Sequence, residues 1–99
     1  MNFKDKVVIV TGGTRGIGLE VAKSFYEKEA NVIIFGSKKE SVDKTVEELS
    51  KDNILVEGYY PNLNNYQEVV ETIDKIYNKY KRIDVLINNA GISANKKIE

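Results

Sequence analysis

Four short apolar runs alternate along the chain with three longer stretches whose apolar residues recur every three or four positions. Val7-Val8-Ile9-Val10 is apolar at every position, and so is Val32-Ile33-Ile34-Phe35. Unbroken runs of this kind are expected of parallel strands covered on both faces. Ile54-Leu55-Val56, extending toward Tyr59, and Ile83 to Ile87 read as a third and a fourth strand. After the first run, Ile17, Val21, Ala22 and Phe25 stand at helical spacing, so a helix begins near Arg15 or Gly16. Residues 37–50 predict a second helix with Val42, Val46 and Leu49 on one side. Residues 64–80 predict the strongest one, with Val69, Val70, Ile73, Ile76, Tyr77 and Tyr80 on one broad buried stripe. Ser37-x-x-Glu40 and Asn65-x-x-Glu68 have the spacing of capping boxes at the starts of the last two helices. Strands alternating with helices of this length predict an α/β fold built on a parallel sheet. The links are too short for a linker or a second domain.

The loop between the first strand and the first helix carries candidate chemistry. It reads Thr11-Gly12-Gly13-Thr14-Arg15-Gly16-Ile17-Gly18. Glycines at 12, 16 and 18 leave no Cβ between backbone and a ligand. The free N–H groups and the helix dipole then face an anion such as a diphosphate. A tight strand-to-helix turn would also want glycines. The spacing is G-x-x-x-G-x-G, not the common G-x-G-x-x-G, and no Gly-Lys-Ser/Thr follows to make a P-loop.

Composition narrows the classes. The chain has 99 residues, enough for one domain, and its 15 basic and 15 acidic side chains cancel. No basic field for nucleic acid results. With no Cys and no His, neither a disulfide framework nor a structural zinc site is expected. The N-terminal residues run straight into the first strand without a signal-peptide pattern, and no apolar run reaches membrane-spanning length. A soluble cytoplasmic domain is the expectation.

The fourth strand ends in Asn88-Asn89-Ala90-Gly91. With the glycine loop, the alternation of four strands with three helices, and this segment in that order, the chain resembles a short-chain dehydrogenase/reductase over essentially its whole length. The wording around Gly12 to Gly18 looks most like the 3-oxoacyl-[acyl-carrier-protein] reductase branch. The resemblance implies a Rossmann-type sheet of order 3-2-1-4, two helices on one face and one on the other, and a cofactor crevice between strands 1 and 4. It also implies a dinucleotide ligand. The loop residues Gly12, Thr14, Arg15, Gly16, Ile17 and Gly18 would hold its diphosphate and nicotinamide side. Asn62 and Leu63 match the polar-then-aliphatic pair that receives the adenine, although a loop start plus a core leucine would look the same. Asn89, Ala90 and Gly91 would lie beside the adenosine ribose, while Asn88 could equally serve only to steady the sheet.

Cofactor choice follows from charge. An NAD-selective site places Asp or Glu at the end of the second strand to bond the ribose 2′-hydroxyl. Here Gly36-Ser37-Lys38 follows Phe35, so no carboxylate repels a 2′-phosphate, and Arg15, Ser37 and Lys38 offer two cations and a hydroxyl. NADP(H) is therefore favoured over NAD(H), although Ser37 also suits an N-cap and Lys38 a solvated first turn. A methyltransferase would want an acidic residue where Gly36 stands, and is set aside.

In the family, catalysis uses a Tyr-x-x-x-Lys pair, a Ser before it, and an Asn on the helix after the fourth strand. Tyr77 and Lys81 have the spacing, but they precede the Asn-Asn-Ala-Gly segment, so no residue of residues 1–99 is expected to be catalytic. The expectation is a partial dinucleotide-binding domain without its catalytic and substrate-binding half. Its parent activity would be carbonyl or 3-oxoacyl-thioester reduction, and the chain itself would be inactive. The alternative is a small non-catalytic binding or self-association module. A homodimer is expected in either case, because the fourth strand is an open edge and the first two strands should be partly uncovered on the face with one helix.

Overall fold

In a computed structural model, residues 2–14, 16–50 and 56–88 are described. The elements run β1 Val7–Thr11, α1 Gly16–Glu27, β2 Asn31–Phe35, α2 Lys39–Leu49, β3 Val56–Tyr59, α3 Tyr66–Tyr80 and β4 Val85–Asn88. The four strands form one parallel sheet of order β3-β2-β1-β4, as expected. Ile54 and Leu55, assigned to the third strand from sequence, lie outside the described residues.

Alternation along each strand sorts the core into two layers. Val8, Val10, Val32, Ile34 and Val56 face α1 and α2 and pack with Ala22 and Ala30. Val7, Ile9, Ile33 and Phe35 face α3 and pack on Ile76. All four residues of the first apolar run, and all four of the second, are buried. That corrects the expectation that β1 and β2 would be partly uncovered. The seat of Ile76 over these two strands shifts the uncovered area onto β4, where Leu86 is 55% exposed.

The broad stripe on α3 also narrows. Ile76 is fully buried and Val69, Ile73 and Tyr80 are partly covered, but Tyr77 is 51% exposed. One residue along a helix is a rotation of about 100°, so a flat sheet beneath Ile76 cannot also cover Tyr77. Asn65 caps α3 as its spacing predicts, its side chain accepting from the Glu68 N–H at 3.1 Å. The Glu68 carboxylate reaches past the cap to accept from the Asn62 N–H at 2.6 Å. At the other end, Lys79 donates to Glu57, which ties the last turn of α3 to β3. Burial pushes the neighbouring Tyr59 hydroxyl above its ordinary pKa, and the Glu57 charge adds to the effect.

Two further contacts fix the ends of the elements. Past α1, Glu29 adopts φ 66°. The Ala30 N–H donates to the Phe25 carbonyl at 3.2 Å and the Glu29 N–H to that of Tyr26 at 3.0 Å, a Schellman ending with a non-glycine residue in the left-handed position. Before β4, the Asp84 carboxylate accepts from the Val7 N–H at 2.8 Å and pairs with Arg82 at 2.8 Å. The Arg82 guanidinium, then the Val7 N–H, hold the Asp84 carboxyl below its ordinary pKa. This clamp precedes the ladder, which is why β4 starts at Val85 and not at Ile83.

Candidate functional site

All four strands run the same way, so the loops that follow them gather at one edge of the sheet. The described candidate residues lie on those loops or in the first turn of α1. Gly12 and Gly16 adopt φ 66° and 62°, a conformation costly for any residue with a Cβ. The Gly12 N–H donates to the Phe35 carbonyl at 2.8 Å, which lashes the loop to the end of β2. A Cβ on Gly16 would meet none of the described residues within 4 Å, so they leave open space beside the first turn of α1. Gly18 is buried, whereas Ile17 is 75% exposed. The sequence pattern put Ile17 on the apolar face of the helix. It lies in the first turn instead, where the chain has only just left the edge of the sheet and no strand lies beneath it. Arg15 lies outside the described residues.

The end of β2 is shaped by Gly36. A Cβ there would fall 2.7 Å from Val42 Cγ2 and 2.9 Å from Thr14 Cγ2. Gly36 therefore lets the glycine loop and α2 close on each other, and it leaves no room for a carboxylate. The same close seat fixes Val42 and with it the phase of α2. Consequently the chain stays extended through Lys38 (φ −124°, ψ 131°), which occupies the N-cap position without a side-chain cap bond. The expected Ser37 cap is not formed: Lys38 supplies the first helical carbonyl, accepting from the Val42 N–H at 3.0 Å. A cap is worth about 1 kcal/mol, less than close packing of a buried valine.

Three adjoining recesses connect these residues. Thr14, Ser37 and Lys38 line a polar cleft of about 330 Å³ together with Ser41, Lys44, Thr45 and Glu48 of α2. Ser37 also borders a second recess of about 420 Å³, shared with Asn62, Leu63, Tyr60 and Glu68. Leu63 borders a third, of about 260 Å³, with Thr11, Phe35, Leu86 and Asn88. Leu63 is 38% exposed, so it is not the core leucine that its position after β3 also allowed. Thr11 Oγ1 donates to Asn88 Oδ1 at 3.1 Å, joining β1 to β4 where the strand order reverses. Asn88 thus steadies the sheet. Asn89, Ala90 and Gly91 lie outside the described residues. The α2 side chains of the polar cleft were missed from sequence. Their signal was a polar stripe at Ser41, Lys44, Thr45 and Glu48 that flanks the apolar face of Val42, Val46 and Leu49. Tyr77 and Lys81 stand at the far end of α3, which descends from the loop edge to the opposite edge. Lys81 is the helix C-cap at φ 64°.

The family model for short chain dehydrogenases matches residues 6–99. The chain belongs to the short-chain dehydrogenase family. It is 43% identical over 95 residues to a 3alpha-hydroxysteroid dehydrogenase of Mediterraneibacter gnavus, a match that covers 94% of this chain and 38% of that one. It is 37% identical over 93 residues to the 3-oxoacyl-[acyl-carrier-protein] reductase FabG of Thermotoga maritima, again covering 94% and 38%. Among solved structures, the Pseudomonas aeruginosa RhlG/NADP active-site complex superposes with a TM-score of 0.82 at 28% identity, over 93% of this chain and 37% of that one. This short-chain dehydrogenase chain therefore spans a little over a third of the length of the curated relatives it matches. Among the described residues, no helix is long and apolar enough to cross a membrane, and no three His, Cys, Asp or Glu side chains gather as a metal site.

Proposed function

We propose that this chain is the cofactor-binding portion of a cytoplasmic oxidoreductase that uses NADP(H). The observation that carries the reading is the polar cleft at the end of β2, where Thr14, Ser37 and Lys38 converge and Gly36 excludes a carboxylate. The glycine loop fits the group as well: two positive-φ glycines and open space at Gly16 suit close approach of a diphosphate. In this reading Gly12 to Gly18 hold the diphosphate, Ser37 and Lys38 with Arg15 hold the 2′-phosphate, Asn62 and Leu63 take the adenine, and Asn89 to Gly91 border the ribose. When bound, NADPH supplies a hydride for carbonyl reduction, and residues 1–99 bind and orient it. We assign no proton donor to this stretch, since Tyr77 sits at the edge of the sheet away from the loops. The parent substrate is a carbonyl compound, 3-oxoacyl thioesters included. The relatives of similar identity differ in their named substrates, and the wording of the glycine loop supports the acyl-thioester branch.

Fluorescence titration tests the reading. NADPH should bind more tightly than NADH, and replacing both Arg15 and Lys38 by Ala should erase the difference. Equal affinities in the unmutated chain refute it.

One observation favours self-association besides. Among the described residues β4 is an edge strand of the sheet, and Leu86 stands exposed on it, lining the apolar recess with Leu63, Val69 and Ile73. Open apolar edges invite pairing, so the chain alone should form a homodimer across this edge. Light scattering that shows a monomer at high micromolar concentration excludes it.

A further inference from the structure

The polar cleft continues past the residues that the glycine loop and the end of β2 bring to it. α2 and its N-cap carry three lysines, Lys38, Lys39 and Lys44, and they are not equivalent. Lys39 is held by Asp43 at 2.7 Å. Neither Lys38 nor Lys44 has a carboxylate within ion-pair distance among the described residues, and both line the cleft. Lys44 starts about 9 Å further along the helix than Lys38 at 1.5 Å per residue. Helical side chains lean toward the N-terminus, however, so the Lys44 stem heads back past Ser41 toward the mouth. Glu40 and Glu48, four residues before and after Lys44, are both within reach of an i,i+4 pair, yet neither is in ion-pair distance of Lys44 among the described residues, and Glu40 is not part of the cleft lining. A phosphate monoester carries about −1.5 to −2 charges near neutral pH, so a further cation lining the cleft from α2 favours it over a bare hydroxyl.

We propose that Lys44, with Ser41 beside it, is a further specificity-determining residue that reads the ribose 2′-phosphate from the helix side of the cleft. The inference rests on the NADP(H) reading and extends its phosphate subsite by one turn and a half of α2. Lys44 strengthens NADP(H) binding while leaving the rest of the dinucleotide untouched.

Calorimetric titration of the full chain with adenosine 2′,5′-bisphosphate and with 5′-AMP isolates the effect, since the two probes differ only in the 2′-phosphate. The unmutated chain should prefer the bisphosphate. Lys44→Gln should lower that preference by about five- to tenfold, the scale of one charge-assisted contact, with 5′-AMP affinity unchanged. Lys39→Gln, whose ammonium is already taken by Asp43, should leave the preference intact. Circular dichroism of each variant checks that it is folded. Full retention of the preference in Lys44→Gln, or an equal loss for both probes, overturns the role of Lys44 alone. A wild-type chain that does not distinguish the probes overturns the NADP(H) reading and this inference together.

Discussion

Gly36→Ala should destabilise the domain although alanine is the better residue in most backbone conformations. The φ of Gly36 lies outside the left-handed region, so its obstacle is space: the new methyl would sit 2.7 Å from Val42 Cγ2 and 2.9 Å from Thr14 Cγ2. Thr14 is in a loop and can give way, but Val42 is fully buried and stiff about χ1. Overpacking of this kind costs about 1–3 kcal/mol, while losing glycine's freedom in the unfolded chain returns about 0.4–1 kcal/mol. The net expectation is a loss of about 1–2 kcal/mol, a sizeable part of a stability of about 5–15 kcal/mol. Val42→Ala alone deletes two buried methyls and should cost about 2–3 kcal/mol. If steric conflict is the cause, the double variant should be more stable than the sum of the single effects implies by at least about 1 kcal/mol, because alanine at 42 makes room for the methyl at 36. Urea unfolding followed by circular dichroism measures all four corners of the cycle, with equal m-values as the check on two-state behaviour. Additivity within about 0.5 kcal/mol would refute the argument, and with it the claim that position 36 cannot hold a carboxylate.

Other expectations follow from single contacts. Ile76→Ala removes the one fully buried side chain of α3 and should cost about 2–5 kcal/mol in the same assay; a loss below about 1 kcal/mol would mean that α3 is held otherwise. Glu29→Gly relieves a left-handed residue of its Cβ and should stabilise the domain by about 1 kcal/mol, read as a higher urea midpoint; no gain would count against the Schellman ending. Asp84 has a depressed pKa in the fold, so its contribution is present above the unfolded value of about 3.9 and is lost as pH falls through the lower folded value. Between about pH 5 and pH 2, the unmutated chain should therefore lose more stability than Asp84→Asn, and parallel profiles would dismiss the clamp on Val7.

The strands were legible because burial on both faces demands unbroken apolar runs, and Val7 to Val10 and Val32 to Phe35 have no polar interruption. The α3 cap was legible for a similar reason: Asn65 and Glu68 are neighbours in the chain and bond locally. What escaped the sequence depends on residues far apart along it. The start of α2 was set by Gly36, Val42 and Thr14 meeting in space, which a local capping pattern at Ser37 cannot anticipate. Tyr77 fits a helical stripe, but the width of the stripe that gets covered depends on the sheet beneath it. The site divides in the same way. Gly12, Gly16, Ser37 and Lys38 stood out by spacing and position, whereas Ser41 and Lys44 are ordinary helix-surface residues until α2 is laid beside the glycine loop.

The neighbour relation between β1 and β4 has a consequence for how the chain acquires its fold. β1 is the first and β4 the last of the four described strands to be synthesised, yet they lie side by side, with Val7 bonded to Asp84 across a separation of 77 residues. Closing that loop costs about 1 kcal/mol more in chain entropy than the pairing of β1 with β2, whose loop is roughly a third as long. During synthesis β1 can find β2 early, but one side of it stays open until β4 has left the ribosome. Of the four described strands, the one that carries the glycine loop thus gains its second neighbour last, and nucleotide binding at that loop reports on the β1–β4 pairing and not on the earlier β1–β2 pairing.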